Sequence, residues 1–373
     1  MRNRSQWWVG LAITGWLWAG SAGATNAVVT NCTESGFNTA LSGVDVSGGG
    51  TVTFNCGTAT ITFVTSNDRV ISSPVTIDGG GKITLDGSTS QSLIQVFGLG
   101  DAILKNLTLA HGGNAVGFTA LENFGVTTLD HVKVQSNAGS ASAVKNHGTL
   151  IVRASTFAGN SATGSTTDGG AIYHDGTDLR VSASTFNGNS AGRFGAAIFA
   201  MGPLTVVNST FNANTATSGG GAIYQVGSGG TILYATIVGN SAPFGAGLYN
   251  DGSGNPLTIG KSIVSANTTG NCDGVLASSG YNLSNGTGCG GVFTNTGDLI
   301  NQTLTLGALA NNGGPTQTMV PAAGNPAINH IPLAQCAPNV DQRGGGRPSG
   351  AGCDSGAVEV GAVLDVIFYD GFD

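Results

Sequence analysis

The sequence predicts an all-β solenoid, a right-handed parallel β-helix with three short strands in each coil of about 25 residues. Three observations predict it. Asn137, Asn160, Asn189, Asn214, Asn240 and Asn267 recur at spacings of 23, 29, 25, 26 and 27 residues. The same apolar columns return around each asparagine: Val134, Phe157, Phe186, Phe211, Ile237 and Val264 three positions earlier, and Leu129, Val152, Val181, Val206, Ile232 and Ile259 eight earlier. Between turn residues the chain breaks into apolar pieces of three to five residues. Such pieces are too short for helices and suit the two-residue period of strands.

In chain order, residues 1–24 read as a signal peptide: Arg2 and Arg4, an apolar stretch from Trp7 to Ala19, then the small residues Ala22-Gly23-Ala24. Cleavage after Ala24 leaves 349 residues, takes away all four tryptophans and leaves 20 acidic against 11 basic side chains. Residues 25–56 form a candidate amino-terminal cap, since a solenoid needs its ends closed. Thr51–Phe54, Thr60–Val64, Val75–Ile77, Ile83–Leu85 and Ile103–Leu109 are plausible rungs of a β-helix spanning 57–310. Its clearest repeats lie at 130–270. There GGAIY (169–173) returns as GAAIF, GGAIY and GAGLY, followed by Leu150–Val152, Leu179–Val181, Leu204–Val206 and Leu257–Ile259 and then by a Ser-x-Phe element. Residues 311–360, rich in Gly, Pro, Asn and Ala, read as a carboxy-terminal cap or a separate small module, and 361–373 as a tail.

The asparagine column has a structural reading. Tight turns leave backbone groups that must be paired when buried. A side-chain amide offers two donors and an acceptor, and asparagine tolerates left-handed backbone. The phenylalanines of the column read as a stack filling the bore.

Composition excludes some partners. Only 9% of residues are charged, and the balance is acidic without basic runs, which speaks against nucleic acid. Six cysteines in an exported chain predict disulfides, with the sequence-local pairing Cys32–Cys56, Cys272–Cys289 and Cys336–Cys353 favoured among fifteen connectivities. No CxxC motif or histidine cluster points to zinc.

GGAIY together with FAGN (157–160), FNGN (186–189) and FNAN (211–214) closely resembles the polymorphic outer membrane protein repeats of chlamydiae. GTVTFNCGTATITF (50–63) and VTIDGGGKITLDG (75–87) resemble the opening of bacterial β-helix surface proteins. GNPAIN (324–329) with DQRGGGRPSGAGCDSGAVE (341–359) resembles the choice-of-anchor Q domain of such proteins; its pattern picks out Asp341, Gln342, Arg343, Arg347, Pro348, Cys353 and Glu359. Ile367–Asp373 resembles a terminal tag of exported Gram-negative proteins, with sorting or a frayed end as its two readings. These resemblances imply a pectate-lyase-like fold and a secreted or outer-membrane surface location. They imply no reaction, because one fold hosts many functions.

Chemistry is sparse. After cleavage the only glutamates are Glu34, Glu122 and Glu359, and the aspartates sit mostly in turns. A glycosidase needs adjacent carboxylates, and a lyase of this fold needs Ca²⁺-binding carboxylates with a strong base. Aligning the coils places His147 over Asp175 and Asn146 over His174, with Arg180 near in sequence; these are the weak catalytic candidates. The same alignment stacks Tyr173, Phe199, Tyr224 and Tyr249. If the adjacent isoleucines face the core, these rings face outward and suit a glycan or a partner protein; in the opposite phase they are core packing.

The leading expectation is a monomeric, non-catalytic surface protein presenting an extended face to a polysaccharide or a host or cell-surface protein, with no cofactor and no metal site. The alternative is a Ca²⁺-dependent polyuronate lyase or another carbohydrate-active enzyme. A passive spacer is the third reading.

Overall fold

The computed structural model describes residues 23–66, 69–113 and 119–364. The predicted leader core and the Ile367–Asp373 tail lie outside the described residues. The chain winds into a parallel β-solenoid of about 10 coils with roughly 25 residues in each. Each coil visits one side after another, and equivalent strands stack at the ordinary strand spacing of about 4.8 Å.

The first side is a nine-stranded parallel sheet that holds the GGAIY-type strands, from Val70–Ile71 through Ile172–His174, Ile198–Ala200 and Ile223–Gln225 to Cys272–Gly274. The second carries the aliphatic strands such as Thr149–Arg153 and Asp178–Ser182, and the third the FxxN strands such as Thr156–Ala158 and Thr185–Asn187. These two sides merge into one 19-stranded sheet, because Pro74–Asp86 and Asp101–Ala110 run through the corner between them. Three strands per coil is therefore extended by a fourth, two residues long, which directly follows the asparagine: Ala138–Gly139, Ser161–Ala162, Ser190–Ala191 and Thr215–Ala216.

Alternation sends one residue in two into the bore. Leu150, Val152, Leu179, Val181, Leu204, Val206, Leu257 and Ile259 are all buried, as are Ile172, Ile198, Ile223 and Leu248. Phe157, Phe186 and Phe211 stack face to face, with centroids 4.6 and 4.9 Å apart and planes within 6°.

Each asparagine of the repeat closes the turn after the third side. Asn160 Nδ2 donates to Val134 O of the preceding coil and to Asn189 Oδ1 of the next, both at 2.9 Å, and the Asn160 amide donates to Asn189 Oδ1 at 3.0 Å. The same three bonds join Asn189 to Asn214 and Asn214 to Asn240. The last rung comes out of period: Asn267 bonds Asn271 Oδ1, only four residues on. The left-handed backbone falls on the preceding residue (Ser136, Gly159, Gly188, Ala213, Gly239, Ala266), not on the asparagine as expected. Asparagine serves here through its amide, not its backbone tolerance. A parallel serine ladder closes the previous corner: the hydroxyls of Ser155, Ser184, Ser209 and Ser262 each accept an amide from the coil before and donate two residues back.

The ends are closed differently from one another. Helix α1 (Glu34–Val46) covers the first coil, capped by Thr33, whose hydroxyl accepts from Gly36 N. Its Phe37, Leu41 and Val44 are buried, and Phe37 lies 6.1 Å from Phe54 and 5.8 Å from Phe63. At the other end Cys289, Val292 and Phe293 pack onto the last core residues. The three disulfides are Cys32–Cys56, Cys272–Cys289 and Cys336–Cys353, with Cα atoms 6.1, 5.0 and 5.7 Å apart.

Residues 311–360 cap neither end. They fold back along the third side and cover its outward threonines. Thr185 Oγ1 donates to Gln317 O, and Gln342 Nε2 donates to Thr185 Oγ1; Thr210 Oγ1 donates to Gln342 Oε1, and Ala357 N to Thr236 Oγ1. Of the residues singled out in this segment, Gln342 bonds the solenoid, and the charged ones form an internal frame. Arg347 pairs with Glu359 at 3.0 Å and Arg343 with Asp341 at 2.8 Å, all four buried.

Candidate functional site

The outer surface of the first side carries the chemistry. With Ile172, Ile198, Ile223 and Leu248 in the core, alternation turns Tyr173, Phe199, Tyr224 and Tyr249 outward in register. Their centroids are 5.4, 5.6 and 4.7 Å apart. The rings take the outward phase, yet two of them are covered. Phe199 and Tyr224 are only 5% and 9% exposed, because the turns stack over them. Phe194, Gly219 and Phe244 pair turn to turn; a Cβ on Gly219 would meet the Tyr224 ring at 3.3 Å, a close contact that glycine relieves. Burial pushes the Tyr224 phenol up to about 12. Tyr173 and Tyr249 remain half-buried.

The file of rings is longer than the four expected. Phe97 stacks on Phe124 at 6.0 Å, Phe124 on His147 at 4.7 Å, and His147 lies 6.5 Å from Tyr173. Seven rings thus succeed one another over seven coils, about 29 Å at six strand spacings. Phe97 and Phe124 are 45% and 41% exposed, so this half of the file is open to solvent. Their signal in the sequence is weak: each follows the strand residue that aligns with Asn146, in coils that lack the repeat motifs.

His147 and Asp175 do meet, with Nδ1 to Oδ1 at 2.6 Å. Nε2 faces Glu122 Oε1 at 3.6 Å, and Glu122 is held by Gln95 Nε2 at 2.8 Å. Both ring nitrogens therefore face carboxylates, an arrangement that fixes the imidazole as a bridge between them. Arg180 sits apart on the second side, two-thirds exposed, with Nε on Asp178 Oδ2 at 2.7 Å.

His174 is corrected outright as a catalytic candidate: it is fully buried in the wall. It belongs to a second buried column at one register position, polar at Asn123, Asn146 and His174, interrupted by Ala200, and polar again at Gln225 and Asn250. Asn146 Nδ2 donates to His174 Nδ1 at 2.8 Å, and His174 Nε2 donates to Pro203 O at 3.1 Å, so the ring is neutral with its proton on Nε2. Burial lowers its pKa. An unfolded histidine takes its proton near pH 6.5. The stabilisation is therefore complete above that pH and declines as pH falls, when the unfolded chain binds the proton first. His174→Asn, matching the neighbouring rung, should retain the fold and flatten the loss of unfolding free energy between pH 6.5 and 5. An unchanged pH slope would refute the neutral-rung assignment.

A cleft of about 410 Å³ opens beside the ring file, lined by Lys145, His147, Tyr173, Asp175, Asp168 and Arg193 with the serines and threonines of two turns. Arg193 is committed to Asp168, with Nε to Oδ1 at 2.8 Å. Among the described residues, no group of three or more His, Cys, Asp or Glu side chains is placed to hold a metal ion, and no helix is long and apolar enough to cross a membrane.

Three stretches, 154–175, 183–201 and 208–225, match the Chlamydia polymorphic membrane protein repeat. Each match takes in an FxxN strand, the turn after it and a ring-bearing strand, so the matched stretches include Tyr173, Phe199 and Tyr224 and one part of the cleft lining, without Lys145 and His147. No curated protein and no solved structure matches the chain. The chain is similar to that repeat over well under half its length, on a parallel β-solenoid.

Proposed function

We propose that this chain is an exported, surface-displayed β-solenoid that binds glycan along its ring-lined first side and carries out no reaction on it. The solvent-open run of the ring file, Phe97, Phe124, His147 and Tyr173, carries the reading. Aromatic faces suit the C–H faces of sugar rings, and a contiguous exposed apolar strip marks a binding surface more often than idle surface. Three disulfides fit an oxidising destination, and the repeat similarity supports display at a membrane surface. The His147 bridge presents no ring nitrogen as a base toward the cleft, which favours binding over elimination or hydrolysis.

Affinity electrophoresis of residues 25–373 through gels containing neutral or acidic polysaccharides tests this. At least one polymer should retard the protein, and Phe124→Ala should weaken that retardation roughly tenfold, about 1.4 kcal/mol. Equal retardation of the variant would remove the ring file from the account.

A further inference from the structure

The ring file changes where His147 meets Tyr173, which is in register with Lys145, and beside that step a cleft opens. The turn from Asn160 to Ile172 spans three residues more than the turns from Asn189 to Ile198 and from Asn214 to Ile223. Its Thr166 and Thr167 line the cleft with Ser140 and Ser142, Thr167 Oγ1 donating to Ser140 O at 3.2 Å, and Tyr173 and His147 line it too. In the next coils Phe194 and Phe244 close over the rings, so a ligand following the file from Phe97 enters this cleft and stops there.

The charges in the cleft are nearly all spoken for. Arg193 holds Asp168, and His147 bridges Asp175 and Glu122. Lys145 forms no salt bridge with any described residue and lies in register between Glu122 and Tyr173. The Asp175 side chain keeps 32% of its surface exposed. An anionic sugar would gain one ammonium while facing the part-exposed Asp175 carboxylate, the Asp168 charge being matched by Arg193. A neutral sugar would offer hydroxyl donors to the carboxylate, hydroxyl acceptors to the ammonium, and a C–H face to Tyr173. A pocket of this size holds one pyranose ring with its waters.

We infer that the cleft at Lys145, Tyr173 and Asp175 is a subsite for a single neutral hexopyranose unit and sets the specificity of the ring-lined face. The inference rests on the glycan-binding reading above. Calorimetric titration of residues 25–373 with neutral gluco-, manno- and galacto-oligosaccharides and with oligouronates tests it, using Lys145→Gln, Asp175→Asn and Phe97→Ala. Both cleft variants are expected to lose the preferred neutral oligosaccharide at least tenfold while keeping the parent melting temperature. Phe97→Ala should weaken all bound oligosaccharides to a similar extent. Wild-type affinity in both cleft variants, with Phe97→Ala still weakened, would overturn the subsite and leave the ring face standing. Tighter binding of oligouronates than of any neutral sugar would overturn the ligand class. Binding of none by the parent protein would overturn the functional reading together with the subsite.

Discussion

Replacing Asn214 with aspartate should cost the solenoid on the order of 4 kcal/mol at neutral pH. Asn214 is fully buried at the centre of the ladder. Its Oδ1 accepts from the Asn189 amide and side chain at 3.0 and 2.8 Å, bonds that a carboxylate keeps. Its Nδ2 donates to Phe186 O at 3.1 Å and to Asn240 Oδ1 at 2.8 Å. In the variant both contacts become oxygen against oxygen, beside a charge removed from water. Such a carboxyl has its folded pKa raised above the unfolded value of about 3.9. The penalty is therefore full above the folded pKa and shrinks as pH falls toward the unfolded one. Urea midpoints at pH 7 and pH 5 check this: the variant should lie well below the parent at pH 7 and closer to it at pH 5. Matching midpoints at pH 7 would sink the ladder as a source of stability.

Glu359→Gln should be comparably damaging, at about 3–5 kcal/mol, but in a different place. Glu359 accepts from Arg347 at 3.0 Å and from the Ser349 and Asp354 amides at 2.8 Å. Arg347 is fixed further by Asp354 O and Gly356 O, both at 2.8 Å, and lies 4.4 Å from the Tyr234 ring. Losing the carboxylate strands a buried guanidinium, so the 311–360 segment should detach from the third side while the coils persist. Hydrogen exchange would show it as lost protection within 311–360, with the ladder amides of Asn160 and Asn189 still protected. The double variant Arg347→Met with Glu359→Gln should recover most of the loss, because no unpaired charge remains buried. Full protection of the segment in the single variant would contradict its electrostatic anchoring.

The central coils were legible because their constraints are local and repeated. A side chain that must bond its own copy one coil away reappears at the coil period, and so the six asparagines and the phenylalanine stack stand out. Asn271 escaped because its rung comes from a doubling back after Asn267. The second polar column escaped for the opposite reason: its register position is constant, but asparagine, histidine, glutamine and, in one coil, Ala200 occupy it, so His174 read as a candidate for chemistry although it is buried in the wall. Helix α1 was hidden in a chain whose every other signal is β, although Phe37, Leu41 and Val44 carry a helical spacing behind the Thr33 cap. The route of residues 311–360 was out of reach. Asp341, Arg343, Arg347 and Glu359 of the motif bond within the segment, whereas the surface that Gln317 and Gln342 reach lies more than a hundred residues earlier in the chain.

The candidate site was half legible. His147 over Asp175 and the four outward rings follow from one alignment of coils. Glu122, Phe97 and Phe124 belong to irregular coils where alignment from sequence has no anchor, whereas Lys145 lies in an aligned coil but carries no motif that singles it out. The longer turn that opens the cleft shows in the sequence as the 29-residue spacing between Asn160 and Asn189, but spacing alone does not say which corner bulges.

The most direct test of the central claim, that the first side binds glycan without cleaving it, is gel filtration of residues 25–373 with neutral and acidic polysaccharides, in Ca²⁺ and in chelator. The account predicts co-elution with at least one polymer, unchanged polymer length and no dependence on Ca²⁺. Shortened polymer would contradict it, with Ca²⁺ dependence pointing to a lyase, and failure to co-elute with any polymer would contradict it as well.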